Sequence, residues 1–191
     1  MFILFTEIAF AQKEQSGFIQ NFYIVGPFQG KSLSDSPVVD EKNLSPATGA
    51  VEGKVWKEYN FTDKKLNLHE AFGYGENIYG YAYVEINSSE EKFVKLLVGS
   101  ADGVKIWVNG RNVLRDASAR ALHLDEDKLN IQLKPGINKI LFKINNLYGG
   151  YEFAARITTQ DGKEIPDLTY NPKNIYLKRL VPVKVIASSV Q

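Results

Sequence analysis

Along much of this chain apolar and polar residues alternate with a period of two, and Gly, Pro, Asn and Asp interrupt the alternation at short intervals. Period two sends successive side chains to opposite faces of a strand. Such runs predict strands over Ile78 to Ile86, Phe93 to Val98, Val104 to Val108, Leu129 to Leu133, Lys139 to Ile144 and Tyr151 to Ile157. Phe18 to Val25 reads as an earlier strand, with Phe22 and Ile24 on one face and Tyr23 and Val25 on the other, closed by Gly26-Pro27. Trp56 to Phe61 predicts a short strand, and Leu66 to Phe72 an irregular segment with room for no more than a turn or two of helix. Residues 29–55, rich in Ser, Asp, Pro, Gly and Lys, lack periodicity and read as a long surface connection, a kind of loop that is usually functional or poorly ordered.

The interruptions carry their own geometry. Asn109-Gly110 is a type I′ hairpin signal, because both central residues of that turn need positive φ, and it predicts that Val104 to Val108 pairs with a strand beginning near Val113. Asp102-Gly103 marks a turn before it, Pro135-Gly136 fits a type II turn, and Asp161-Gly162 predicts a further hairpin. Ile175 to Ile186 is apolar, yet Pro182 confines it to an edge or a linker. Short strands separated by turns predict an all-β fold, an antiparallel β-sandwich, and disfavour a mixed α/β enzyme fold.

Composition narrows the function classes. With 191 residues, 44% of them hydrophobic and 24% charged, the chain is ordinary globular material. A formal net charge of +1 offers no concentrated positive surface for a nucleic acid. The absence of cysteine removes disulfides, thiolate zinc sites and cysteine nucleophiles together. Residues 1–12, MFILFTEIAFAQ, are mostly apolar and end in Ala9-Phe10-Ala11, the small-x-small pattern of a signal-peptidase site. They are read as a signal-peptide remnant, with a buried first strand as the alternative. The leader reading places the protein outside the cytoplasm: secreted, periplasmic or at the cell surface. No other run reaches the roughly 20 apolar residues of a membrane-spanning helix. Residues 13–165 form the expected sandwich domain, and residues 166–191 a C-terminal extension or linker.

Two stretches, GSADGVKIWVNGR (Gly99 to Arg111) and LDEDKLNIQLKPGINKILFKINNLYGGYEFAARI (Leu124 to Ile157), combine a Gly-Ser-x-Asp-Gly-Val-Lys-x-Trp-x-Asn-Gly core, an acidic run, a Leu-Lys-x-Gly-x-Asn turn and a final aromatic strand ending in Arg. With YIVGPF (Tyr23 to Phe28) and YGYAYVEI (Tyr79 to Ile86), the chain from about Phe18 to Ile157 resembles the galactose-binding-like jelly-roll modules of secreted bacterial proteins. The resemblance implies a jelly roll that serves as a sugar binder, a protein binder or a spacer beside an enzyme domain. It also raises a structural calcium near one end of the sandwich.

Candidate chemistry is sparse. His69 and His123 share no metal-binding spacing, and no Gly-x-Ser-x-Gly elbow appears, so the expectation is a protein without catalytic residues of its own. Tyr79, Tyr81 and Tyr83 alternate with small or apolar residues and present three phenol rings on one face, suited either to stacking on sugars or to packing beneath a cover such as residues 29–55. Trp107 lies on the face of its strand opposite Ile106 and Val108. Arg111, Arg115, Arg120 and Arg156 offer planar donor forks, and the segment from Asn112 to His123 is the expected wall of a loop-end site. Asp125, Glu126 and Asp127 supply the clustered carboxylates that calcium needs, the alternative being a solvated loop. These residues predict a carbohydrate-binding module of a secreted or cell-envelope protein. The alternative is a structural or interaction module packed against a flanking domain. Expected partners are therefore a glycan or a neighbouring protein domain.

Overall fold

The computed structural model describes residues 17–171. The leader reading of residues 1–12 and the apolar run from Ile175 to Ile186 lie outside them. Among the described residues, beside two 3-10 turns, there are eleven strands and one short α-helix. In chain order they are β1 (Asn21–Gln29), β2 (Lys57–Asn60), β3 (Leu66–Asn67), α1 (Leu68–Phe72), β4 (Ile78–Ser88), β5 (Lys92–Ser100), β6 (Val104–Val108), β7 (Arg111–Asp116), β8 (Asp127–Leu133), β9 (Gly136–Asn146), β10 (Glu152–Thr158) and β11 (Thr169–Tyr170). They form a seven-stranded sheet ordered β2-β1-β4-β9-β6-β7, with β11 added to β4, and a four-stranded sheet ordered β3-β10-β5-β8. Every strand pairing is antiparallel. The fold is an all-β sandwich.

Period two sorts the residues as expected. Ala82, Val84 and Ile86 of β4, Ile140, Phe142 and Ile144 of β9, and Val104, Ile106 and Val108 of β6 face the second sheet and meet Leu96, Val98, Phe153 and Ile157 in the main core. Phe22 and Ile24 of β1 join them, while Val25 turns to the other side. At Asn109 and Gly110 φ is 51° and 78°, as a type I′ turn requires, and the hairpin closes so tightly that β7 begins at Arg111 rather than near Val113. Gly136 takes φ 87° after Pro135.

Several local expectations are corrected. β1 starts at Asn21, and Phe18 instead bridges to Arg156 of the other sheet. The strand also continues past Gly26-Pro27, because a register shift between Val25 and Phe28 takes the proline, which has no N–H to donate, out of the ladder. At Asp102-Gly103 the positive φ of 60° falls on the aspartate, whose Oδ2 accepts the backbone N–H groups of Leu147 (2.8 Å) and Tyr148 (3.3 Å). The Asp161-Gly162 turn is closed by a 2.8 Å bond from Thr159 N–H to Lys163 O, but no strand pairs with β10 after it. The chain crosses to the other sheet, where Thr169 and Tyr170 pair with Asn87 and Ile86 of β4. The first residues of the predicted extension thus belong to the sandwich.

Residues 30–56 lie over the outer face of the large sheet as a strap. Two 3-10 turns (Glu41–Asn43 and Pro46–Thr48) and a Val51–Lys54 bridge give it local order. Leu44 and Val51 pack with Val25, Phe28, Tyr79, Tyr81, Tyr83, Trp107 and Leu141 in a second apolar cluster. The sandwich therefore has a third, irregular layer.

Candidate functional site

The tyrosine stripe lies beneath that strap. Tyr79, Tyr81 and Tyr83 are 3%, 0% and 1% exposed, and Trp107 is 4% exposed. Trp107 and Tyr83 both sit opposite Leu141 of β9 in register, so the four aromatic residues share one face. Of the two readings of this face, packing beneath residues 29–55 matches the observed geometry.

The strap is fixed at the centre of the stripe by one carboxylate. Glu41 accepts hydrogen bonds from Tyr81 Oη (2.7 Å), Lys143 Nζ (2.6 Å) and Lys105 Nζ (2.9 Å). Lys143 also donates to the carbonyls of Leu33 and Asp35, and its ammonium lies 4.2 Å from the Tyr79 ring centroid. Lys105 sits 4.4 Å from the Trp107 ring centroid. Burial alone would raise the Glu41 carboxyl, but the bonds from Lys105, Lys143 and Tyr81 outweigh it and hold the group below the usual range. Burial pulls the Lys143 ammonium down, against the pull of Glu41, and it pushes the Tyr79 phenol up to about 12.

Two clefts open on either side of this clamp. The first, about 630 Å³, runs past Phe28, Gln29, Asp35, Ser36, Glu52, Lys54 and Tyr79. The second, about 250 Å³, lies between strap residues Lys42, Asn43 and Leu44 and sheet residues Tyr83, Trp107, Lys139 and Leu141, with the Asn109-Gly110 turn at its rim.

A third cleft, about 380 Å³, occupies the end of the sandwich where the β5–β6, β7–β8 and β9–β10 loops meet. Ala119 to Leu122, part of the segment from Asn112 to His123, form one side, and Tyr148, Gly149 and Gly150 line it as well. Asp102, Arg120 and Glu152 add charge, and Tyr148 is 64% exposed. On the neighbouring loop Tyr74, 93% exposed, stacks on the His69 ring with centroids 4.2 Å apart and planes 10° or less from parallel (9°). His69 Nε2 lies 2.9 Å from Gly149 O, tying the two loops together. Sequence reasoning passed over Tyr74 and Tyr148. Their signal was present: each stands among glycines, in GYGEN and LYGGY, where no regular element is available to bury a ring.

The arginines separate. Arg120 is enclosed, bonding Asp127 (2.5 Å), Asp116 (3.0 Å) and Ser100 (3.0 Å), with Glu126 3.5 Å away. Arg156 takes Asp125 as a two-pronged partner, its Nε 2.9 Å from Oδ1. The acidic run is thus not gathered on one point: Asp125 faces Arg156, Asp127 faces Arg120, and Glu126 stays exposed 3.5 Å from Arg120. Among the described residues no group of three or more His, Asp or Glu is placed to hold a metal. Arg115 donates to Ser34 Oγ at 3.1 Å, and Arg111 is exposed beside the hairpin turn, apart from Arg120. His123 is exposed, 3.9 Å from Glu126.

No family model matches the chain, and no curated protein sequence does either. Among solved structures it is similar to a β-glucosidase from Kluyveromyces marxianus (TM-score 0.44, 10% identity, 72% of this chain and 15% of that one). It is also similar to the PA14 domain of the antifreeze protein MpAFP (0.40, 11%, 76% and 66%) and to a β-glucuronidase from Faecalibacterium prausnitzii (0.41, 8%, 67% and 21%). The chain spans between 15% and 66% of the length of these proteins.

Proposed function

We propose that this protein is a non-catalytic, carbohydrate-binding accessory module of the galactose-binding-like type, acting outside the cytoplasm, with its sugar site in the loop-end cleft. The observation that supports this reading is Tyr148, exposed beside a cleft lined by Ala101, Ala119, Ala121, Gly149 and Gly150. Small side chains let the apolar face of a pyranose approach the backbone, a phenol ring offers stacking, and the Glu152 carboxylate at the rim suits hydroxyls. The Tyr74–His69 stack extends the aromatic surface along the same end. At 380 Å³ the cleft lies within the range of small-ligand sites, about 300–1,000 Å³.

The test is a broad glycan and polysaccharide panel, run on the full chain with calcium and again with a chelator. Saturable binding that is lost in Tyr148→Ala supports the reading. Clean absence of binding in both conditions overturns it and directs attention to protein partners.

A further inference from the structure

We infer that the cleft between the strap and β6–β9 is a second binding site, specific for an acidic saccharide unit carrying a carboxylate or a sulfate; this rests on the carbohydrate reading above but on a different part of the molecule. Lys42 comes from the strap and Lys139 from β9, two different layers, and both line one concavity. Neither has an ion-pair or hydrogen-bond partner for its ammonium among the described residues. Among the described residues no carboxylate lines the cleft. Two carboxylates stand beside the lining: Asp40 accepts from Asn43 Nδ2 at 2.6 Å, and Glu85, buried and opposite Lys139 in the β4–β9 register, accepts from Tyr83 Oη at 2.8 Å. Arg111, exposed next to Gly110, adds to the positive field at the rim.

The rest of the lining fits a sugar carrying that charge. Leu44, Tyr83, Trp107 and Leu141 make an apolar floor, and the Oδ1 of Asn43, standing over Gly110, is an acceptor for a hydroxyl. Asn109 is not available, since both ends of its amide are used by Asn138 and the Lys139 N–H. The volume of about 250 Å³ suits a single sugar unit. Two exposed ammonium groups on one concavity, neither held in an ion pair among the described residues, favour an anion over its neutral analogue, and the preference weakens as salt screens it.

Three trisaccharides serve as probes on the full chain: trigalacturonate, a sulfated galactose trisaccharide and uncharged galactotriose. Binding is followed by calorimetry and by the emission of Trp107. The expected result is saturable binding of both acidic probes, weaker at higher salt, at least about tenfold weaker for galactotriose. Lys139→Glu and Lys42→Glu should each reduce acidic binding about tenfold or more, read from the Trp107 emission. Galactotriose binding as tightly as the acidic probes, or unaltered binding in both lysine variants, overturns the inference. If acidic binding instead disappears in Tyr148→Ala alone, the acidic sugar belongs to the loop-end cleft, and the second site is rejected while the carbohydrate reading stands. If neither acidic probe binds, the second site is likewise rejected, and the glycan panel decides the reading separately.

Discussion

Lys143 Nζ donates to Glu41 Oε1 across 2.6 Å, at a point where the lysine side chain has no solvent exposure and the glutamate about a tenth. One side chain from an irregular strap thereby neutralises a cation that the sheet could not otherwise bury. Removing one partner of a buried ion pair leaves the other uncompensated, so Glu41→Ala should cost about 3–5 kcal/mol in chemical denaturation. Replacing Lys143 and Glu41 together with Met and Leu should restore much of that loss, since an apolar pair of similar volume leaves no charge behind.

The same pair sets a pH dependence. The folded Glu41 carboxyl titrates below its ordinary value of 4.5, so between those two points the unfolded chain binds more protons than the folded one. Its contribution to stability is complete above pH 4.5 and is lost as pH falls through the folded value. Lys143, held below its ordinary 10.5, acts in the same direction at the alkaline end: stability gains as pH rises from its folded value toward 10.5. Stability measured by urea denaturation from pH 3 to pH 6, for Glu41→Gln beside the parent, should show a shallower slope below about pH 4.5 in the variant. An identical slope would remove Glu41 from the account.

The sandwich was legible in the sequence because its strands obey period two with one face in a core, and the Asn109-Gly110 turn could hardly be anything but a hairpin. The strap was only half legible. Its place over the tyrosines follows from three rings needing cover, but the Glu41 clamp joins residues 64 and 102 positions apart, which no local pattern encodes. The acidic run misled for a related reason. Carboxylates adjacent in sequence suggested one cation, whereas the chain turns at Asp125, where φ is 60°, before β8 begins at Asp127, so Asp125 meets Arg156 and Asp127 meets Arg120.

That division carries a prediction about metal. With Asp125 and Asp127 already neutralised by guanidinium groups, added calcium has no cluster of free carboxylates to occupy. The melting temperature should be the same in millimolar calcium and in chelator, and a calcium-dependent rise would show a ligand set built elsewhere. Arg120→Ala, in contrast, should destabilise by about 3 kcal/mol or more, since it strands Asp127, which shares its enclosed environment.

Gly99 is a strand residue with no positive φ, yet a Cβ there would stand 2.3 Å from the carbonyl oxygen of His123. The β7–β8 loop therefore rests on bare backbone of β5. Gly99→Ala should cost about 1–3 kcal/mol by forcing that loop outward. Because the same loop carries the Ala119 to Leu122 wall of the loop-end cleft, glycan affinity should fall together with stability.

Tyrosines at the two kinds of position should part company under substitution. Tyr81 is wholly buried, bonded to Glu41, and lies within 5.9 Å of both the Phe28 and Tyr79 rings. Tyr81→Ala opens a cavity and strips a buried carboxylate of a donor, so it should cost about 3–5 kcal/mol and report on folding rather than on a ligand. Tyr148, exposed on a loop, has little packing to lose, and Tyr148→Ala should change stability by no more than about 0.5 kcal/mol. Its effect should appear in binding instead, as a loss of about 1–3 kcal/mol for any glycan that stacks on the ring. Thermal melts and glycan titrations on both variants check this directly. Loss of stability confined to Tyr81→Ala and loss of binding confined to Tyr148→Ala is the expected pattern. Unaltered glycan affinity in Tyr148→Ala would move the sugar site out of the loop-end cleft.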